Sequence, residues 1–374
     1  MQKCVKNLSD MNILQPIQIG PMKLKNRVSF TPVWPSFATG DGHVNRELME
    51  WVRDIVKGGV ACINIGCGCV NRNIPPVVTH LLRMSEETVV NEMMSLTDLA
   101  HMYQAKIGIE LFAINFYAGS FEKRDKGKNV AVELDPTDLT KEQLKEIIED
   151  FANAAERAKR CGFDSLVVHG AHGQLPGCFL SKVINRRTDE YSADTIENAS
   201  RFTKELLAAI RKKIGNTMAI EYRINASDMV EGSPSLDDEI AFAREIEDKI
   251  DLLHVSRGLH AMQSLAPYMN QPLYYPHGIN LEDAAKMKEK LQIRIPVIPL
   301  FNHDEENIRK TAEFCKELGD AVTMIQLLPY HNLGVMKYLR ISDKPVAEAT
   351  PPSEEYMQKL KGIMEEYGLN VSIH

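Results

Sequence analysis

Residues 163–181 read FDSLVVHGAHGQLPGCFLS. Leu166, Val167 and Val168 make a short apolar run of the kind that fills a strand buried on both faces. The run stops at His169-Gly170-Ala171-His172-Gly173, a polar loop punctuated by glycine. Two imidazoles three residues apart, just past the C-terminal end of a strand, stand where an α/β protein builds its chemistry. An isolated pair with this spacing is more often a turn with two surface histidines, so the context decides.

Outward from this stretch, strand and helix alternate. Apolar runs at residues 28–32, 60–66, 105–112, 164–168, 218–224, 250–255, 294–300 and 322–328 predict eight strands. Helical periodicity covers 47–57, 86–104, 140–160, 193–214, 236–250, 281–291 and 305–318. Gly58-Gly59 closes the first helix, Gly215 ends the fourth, and Thr140 with Gln143 forms a capping-box start. Residues 14–28 alternate around Gly20-Pro21 and predict a small hairpin ahead of the first main strand. A last helix is expected over 353–367. Eight βα units without a Gly/Ser-rich linker or repeat predict an α/β fold, a (β/α)8 TIM barrel, followed by a C-terminal helix.

Composition narrows the partners. A net charge of −7 offers no basic face for phosphates, so a nucleic-acid partner is not expected. No apolar run approaches the roughly 20 residues that span a bilayer, and the start of the chain lacks a signal-like apolar segment. Seven cysteines without a secretory signal fit a reducing cytoplasm. Cys67-Gly68-Cys69, with Cys62 nearby, is the closest grouping; CxxC does not occur, so it reads as small hydrophobes and no metal site is expected. The sequence leaves a homo-oligomer open.

In a barrel the strand ends carry the chemistry. Here they present Thr31-Pro32, Gly66-Cys67, Glu110, His169 with His172, Arg223, and Ser256-Arg257. Arg223 could be a salt bridge at the rim, or a fixed cation beside an electron-rich ring or a phosphate. A guanidinium, two imidazoles, a carboxylate and hydroxyls at one mouth favour the second.

These residues carry a resemblance. LQPIQIGPMKLKNRVSFTP at the start, HGAHG followed by FLSKVINRRTDEY, IENASRFTKELLAAIRKKIG, EYRIN and IDLLHVSRG together resemble the old yellow enzyme family of FMN-dependent NAD(P)H oxidoreductases, nearest its dienoyl-CoA-reductase-like and bile-acid-reductase-like bacterial branch. The resemblance implies FMN in the barrel mouth, NADH or NADPH as reductant, and hydride transfer to the activated C=C of a small unsaturated carbonyl substrate. It implies that Thr31 and Pro32 meet the flavin through the main chain. Gly66 would lie beside the ring, Glu110 at its pyrimidine edge, and Arg223 near N1 and the C2 carbonyl. His169 and His172 would hold the substrate carbonyl and stabilise enolate charge.

The chain departs from that pattern in four places. Glu110 stands where the family usually has Gln, and Gln174 stands where a Tyr proton donor is usual; water, Tyr117 or Tyr191 would have to replace it. Ser192-Ala193-Asp194 replaces Gly-Gly-Ser. The glycine loops that bind the FMN phosphate after strands seven and eight are missing. From about Arg294, RIPVIPLFNHDEENIRKTAEFCKELG, LLPYHNLGVMKY and PPSEEYMQKLKGIMEEYGLNV resemble instead the C-terminal part of glycyl-radical-enzyme activases, without the cluster motif CxxxCxxC. The sequence therefore predicts two parts, 1–290 old-yellow-enzyme-like and 291–374 activase-like, the second of different origin and completing the barrel. Asn302, His303, His331 and Asn332 fall at the new strand ends, and Asp304 and Glu305 oppose an anion at the helix start, so weaker FMN binding is expected. The competing reading is a non-catalytic hybrid barrel that holds no flavin.

Overall fold

The structure is a computed structural model that describes residues 12–72, 80–113, 135–259, 263–290, 293–297, 299, 302–317, 325–330 and 350–373. The chain divides into two compact units, Met1–Asn280 and Leu281–His374.

The first unit opens with an antiparallel hairpin, β1 (Ile17–Ile19) and β2 (Met22–Leu24), turning through Gly20 at φ +50°. There follow β3 (Ser29–Val33), α1 (Arg46–Lys57), β4 (Cys62–Cys69), β5 (Leu82–Arg83), α2 (Val90–Met102) and β6 (Lys106–Phe112). Then come α3 (Lys141–Arg160), β7 (Ser165–His169), α4 (Leu175–Cys178), α5 (Ile196–Ile214), β8 (Ala219–Asn225), α6 (Leu236–Ile246), β9 (Leu252–Ser256) and α7 (Ala266–Met269). The sheet runs β3-β4-β6-β7-β8-β9, parallel throughout, with the short β5 paired to β4. Sequential order with a helix between neighbours is the right-handed βα winding of a barrel wall.

That sheet is curled. In a flat sheet at about 4.8 Å per strand, β3 and β8 would stand about 19 Å apart. Arg223 on β8 nonetheless reaches the Pro32 carbonyl on β3 at 3.4 Å, and Asn64 on β4 donates to Glu221 on β8 at 3.2 Å. The concave face is therefore crossed by polar side chains. Gly108 on β6 is glycine because a Cβ there would meet the Asn64 amide oxygen at 2.0 Å and the Ser165 hydroxyl at 2.4 Å.

The N-terminal strand ends are pinned by carboxylates. Asp164 accepts from the Ile107 amide, Lys106 and His101; Asp251 accepts from the Ile220 amide and Arg211. The helices dock by apolar stripes, and the Thr140–Gln143 capping box is formed as the sequence predicts. Leu144, Ile147, Phe151 and Ala155 of α3 are fully buried, as are Phe202, Leu206 and Ile210 of α5.

The second unit contains α8 (Leu281–Lys290), β10 (Ile293–Val297), α9 (Glu305–Glu317), β11 (Ile325–Pro329), α10 (Glu354–Glu365) and β12 (Val371–Ile373). The seventh and eighth expected strands, β10 and β11, pair in parallel, and β11 also pairs with β12, a strand the sequence reading does not anticipate. Val297, Ile308, Ala312, Leu327, Met357, Leu360 and Met364 form this unit's own core. Ser353 caps α10, whose apolar face packs into that core.

Candidate active site at the C-terminal strand ends

The polar cluster follows from strand register. Arg223 pairs across the ladder with His169 on one side and His254 on the other. Glu110 lies one strand further, on β6, opposite Val167. Its Oε1 accepts from Arg223 Nη1 at 3.0 Å and stands 3.9 Å from His169 Nδ1. Glu110 is buried, and burial pushes its carboxyl above the usual carboxylate range, while the Arg223 guanidinium pulls it back down. The two residues that the resemblance assigns separately to the flavin thus form an ion pair with each other.

The two histidines are fixed differently. His169 ends β7 and is buried. His172 adopts φ +60°, a left-handed conformation, in the loop beyond. It bridges to Leu259, and its Nε2 lies 2.7 Å from the buried Ser256 hydroxyl. The rings meet edge to face with centroids 5.1 Å apart. Gly170 in the loop and Gly177 in α4 are demanded by crossing backbone and side chains. A Cβ on Gly170 would strike the Tyr222 hydroxyl at 2.1 Å, and one on Gly177 the Gly170 carbonyl oxygen at 1.8 Å.

Pro32 is brought to this cluster through its carbonyl, whereas the side chain of Thr31 is exposed on β3. Gly66 lies at a bulge of β4, where a Cβ would collide with the Val33 carbonyl oxygen at 2.3 Å; close approach of β3 explains that glycine without a ligand. Gln174 stands at the position before α4, makes no side-chain capping hydrogen bond there, and is buried. Tyr191, a candidate substitute for a proton donor, donates its hydroxyl to Glu205 on α5 at 2.9 Å, and burial pushes it up to about 12. Tyr117, His331 and Asn332 lie outside the described residues. Asp304 accepts from the Asn307 amide at the start of α9, so a carboxylate already sits at that helix end. His303 offers its carbonyl to the Tyr356 hydroxyl.

Sequence reasoning missed a second polar layer one step along the strands. Glu221 is buried, and its Oε2 takes His254 Nε2 at 2.6 Å as well as Asn64. The signal was present in polar residues interrupting the apolar strands of EYRIN and LLHVS. Among the described residues no group of three or more His, Cys, Asp or Glu could hold a metal ion, and no helix is long and apolar enough to cross a membrane.

A curled parallel sheet with paired imidazoles, a guanidinium and a carboxylate at its C-terminal strand ends is the arrangement of an α/β-barrel active site. Residues 12–317 match the NADH:flavin oxidoreductase / NADH oxidase family, and the chain belongs to it. That match extends past residue 290 through α9. The NADH oxidase of Thermoanaerobacter brockii is 28% identical over 310 residues, 79% of this chain and 46% of that protein. The NADPH dehydrogenase of Clostridium acetobutylicum is 32% identical over 257 residues, 66% of this chain and 74% of that protein. The chain thus spans less than half the length of the first of these relatives. The old yellow enzyme homologue from Zymomonas mobilis superposes with a TM-score of 0.57 at 16% identity, covering 92% of this chain and 96% of that one. This likeness shows the fold, an α/β (β/α)8 barrel.

Proposed function

We propose that the chain is an FMN-dependent oxidoreductase that uses NADH or NADPH to reduce an activated C=C in a small unsaturated carbonyl compound. The observation that carries this reading is the convergence of His169, His172, Ser256, Arg223 and the Pro32 carbonyl at the C-terminal strand ends of a family member. FMN, when bound, supplies the hydride chemistry.

The residues present fit the ring end of that cofactor. Among the described residues Arg223 makes its hydrogen bonds through Nη1 alone, so Nε and Nη2 are available to an electron-rich carbonyl edge. Pro32 fixes where the guanidinium points, and Glu110 holds it there. His169 and His172 would orient the substrate carbonyl and bear charge developing on its oxygen.

The test is anaerobic mixing of FMN-loaded protein with NADH or NADPH, followed by an enone, an enoyl thioester or an unsaturated steroid acid. Bleaching of the flavin by nicotinamide and its return with one of these acceptors supports the proposal. Failure of every acceptor to restore colour counts against the ene-reductase assignment, and failure of bleaching counts against the oxidoreductase itself.

A second reading, a hybrid barrel that holds no flavin, draws on one observation: Glu110 neutralises Arg223, the cation that a flavin carbonyl would meet. On that reading the activase-like tail completes the fold and brings no chemistry. Purified protein that retains no FMN would favour it.

A further inference from the structure

The end of β3 leaves the barrel wall on its concave side. Asn64 crosses that face to Glu221, so the fully buried Ile63 and Ile65 on either side of it face outward, towards the helices. Phe30 pairs with Ile63 and meets Trp51 of α1 edge to face, which fixes the outward side of β3 as well. A bulge between Phe30 and Val33 then resets the register. Val33 pairs with Ile65 and shares its outward face, so the alternation turns Trp34 inward. The backbone agrees. Gly66 has the orientation of Asn64, and a Cβ there would meet the Val33 carbonyl oxygen at 2.3 Å and the Trp34 amide nitrogen at 2.9 Å. Residues 33 and 34 therefore lie over the concave face, directly after the Pro32 carbonyl that meets Arg223.

Trp34 is held there and left open. Its Nε1–H donates to the His80 carbonyl at 2.9 Å, and the His80 ring bonds the Ala38 carbonyl through Nδ1 at 2.6 Å. One residue thus clamps both ends of the segment 34–38. The indole has its polar atom satisfied and is fixed in place, yet it is 47% exposed. A large apolar ring left in water gains most from a flat partner laid against it.

We propose that Trp34 is the wall of the mouth against which an aromatic ring of the substrate stacks, so that the preferred substrates are aryl-substituted unsaturated carbonyl compounds. The proposal rests on the reading of the chain as an ene-reductase and names its substrate class. An aryl ring conjugated with the C=C keeps the acceptor flat, so a fixed indole orients the alkene as well as binding the ring. A short aliphatic enoate offers no such face.

The experiment uses the chain labelled with 5-fluorotryptophan. Its two tryptophans give two fluorine-19 signals, that of Trp34 assigned by its loss in Trp34→Leu. Cinnamate and crotonate, the same enoate carrying a phenyl or a methyl group, are titrated against the FMN-saturated and the flavin-free chain. Cinnamate should move the Trp34 signal, leave that of Trp51 in place, and bind at least about fivefold tighter than crotonate. Trp34→Leu should remove that advantage and leave crotonate affinity within about twofold. A Trp34 signal unmoved by cinnamate in both forms, an equal response to crotonate, or an aryl preference retained in Trp34→Leu overturns the proposal. Sedimentation tests the other occupant: a wild-type dimer that is lost in Trp34→Leu would give the exposed indole to a second copy of the chain and overturn it too. Failure of the ene-reductase reading shows elsewhere, because FMN retention and bleaching by nicotinamide are read in the visible spectrum and not in the fluorine signals.

Discussion

Replacing Arg223 by Met removes the partner of a buried carboxylate while keeping most of the side chain's apolar volume. Glu110 would then face burial without the 3.0 Å guanidinium that now offsets it. Loss of one partner from a buried pair typically costs about 3–5 kcal/mol, because an uncompensated charge remains. Here proton uptake sets the ceiling. Protonating a carboxyl whose ordinary value is 4.5 costs about 1.4 kcal/mol per pH unit, so the penalty is at most about 3.4 kcal/mol at pH 7 and about 0.7 at pH 5. The sign follows from the direction of the shift. In the variant Glu110 is pushed further above its unfolded value, so stability is retained below about pH 4.5 and lost as pH rises through the folded value. Urea unfolding of wild type and Arg223→Met at pH 5 and pH 7 should show a deficit that widens by up to about 2.7 kcal/mol. Arg223→Met with Glu110→Gln should recover most of it. A deficit that is equal at both pH values, or absent at pH 7, would refute a buried ion pair at this place.

Two further outcomes are expected. Gly170→Ala places a methyl 2.1 Å from the hydroxyl of the fully buried Tyr222, and the Gly170 amide bonds the Arg223 carbonyl; overpacking of this kind costs about 1–3 kcal/mol, so thermal unfolding should show a lowered Tm. Unchanged stability would show that the strand end tolerates the shift. Tyr191→Phe loses the hydrogen bond to Glu205, about 1 kcal/mol, when measured near neutral pH. The wild-type tyrosine is pushed up to about 12, so its contribution is present below the unfolded value of about 10 and lost as pH rises towards 12. The variant should therefore lose less stability across that window, and equal losses would contradict the shift.

Much of the barrel wall was legible because each strand is an apolar run with its own punctuation. Leu166–Val168 before His169-Gly170, and the Thr140–Gln143 pair before α3, are local signals that tertiary packing did not override. What escaped was non-local. β12 is a three-residue strand defined only by its pairing with β11, and β5 only by its pairing with β4. In the site, the residue types were readable but not their partners. Arg223 and Glu110 lie 113 positions apart, and no spacing rule shows that they neutralise each other. Tyr191 was readable as a potential acid, yet its hydroxyl turns to α5. Gly66 shows the converse: a glycine that suits a cofactor is also required by the neighbouring strand.

The central claim, that these strand ends hold a flavin, is tested most directly by the visible spectrum of the protein after saturation with FMN and removal of the unbound fraction. The account expects retained flavin absorbance, reduced or lost in Arg223→Met. A folded wild-type protein that keeps no flavin would contradict it.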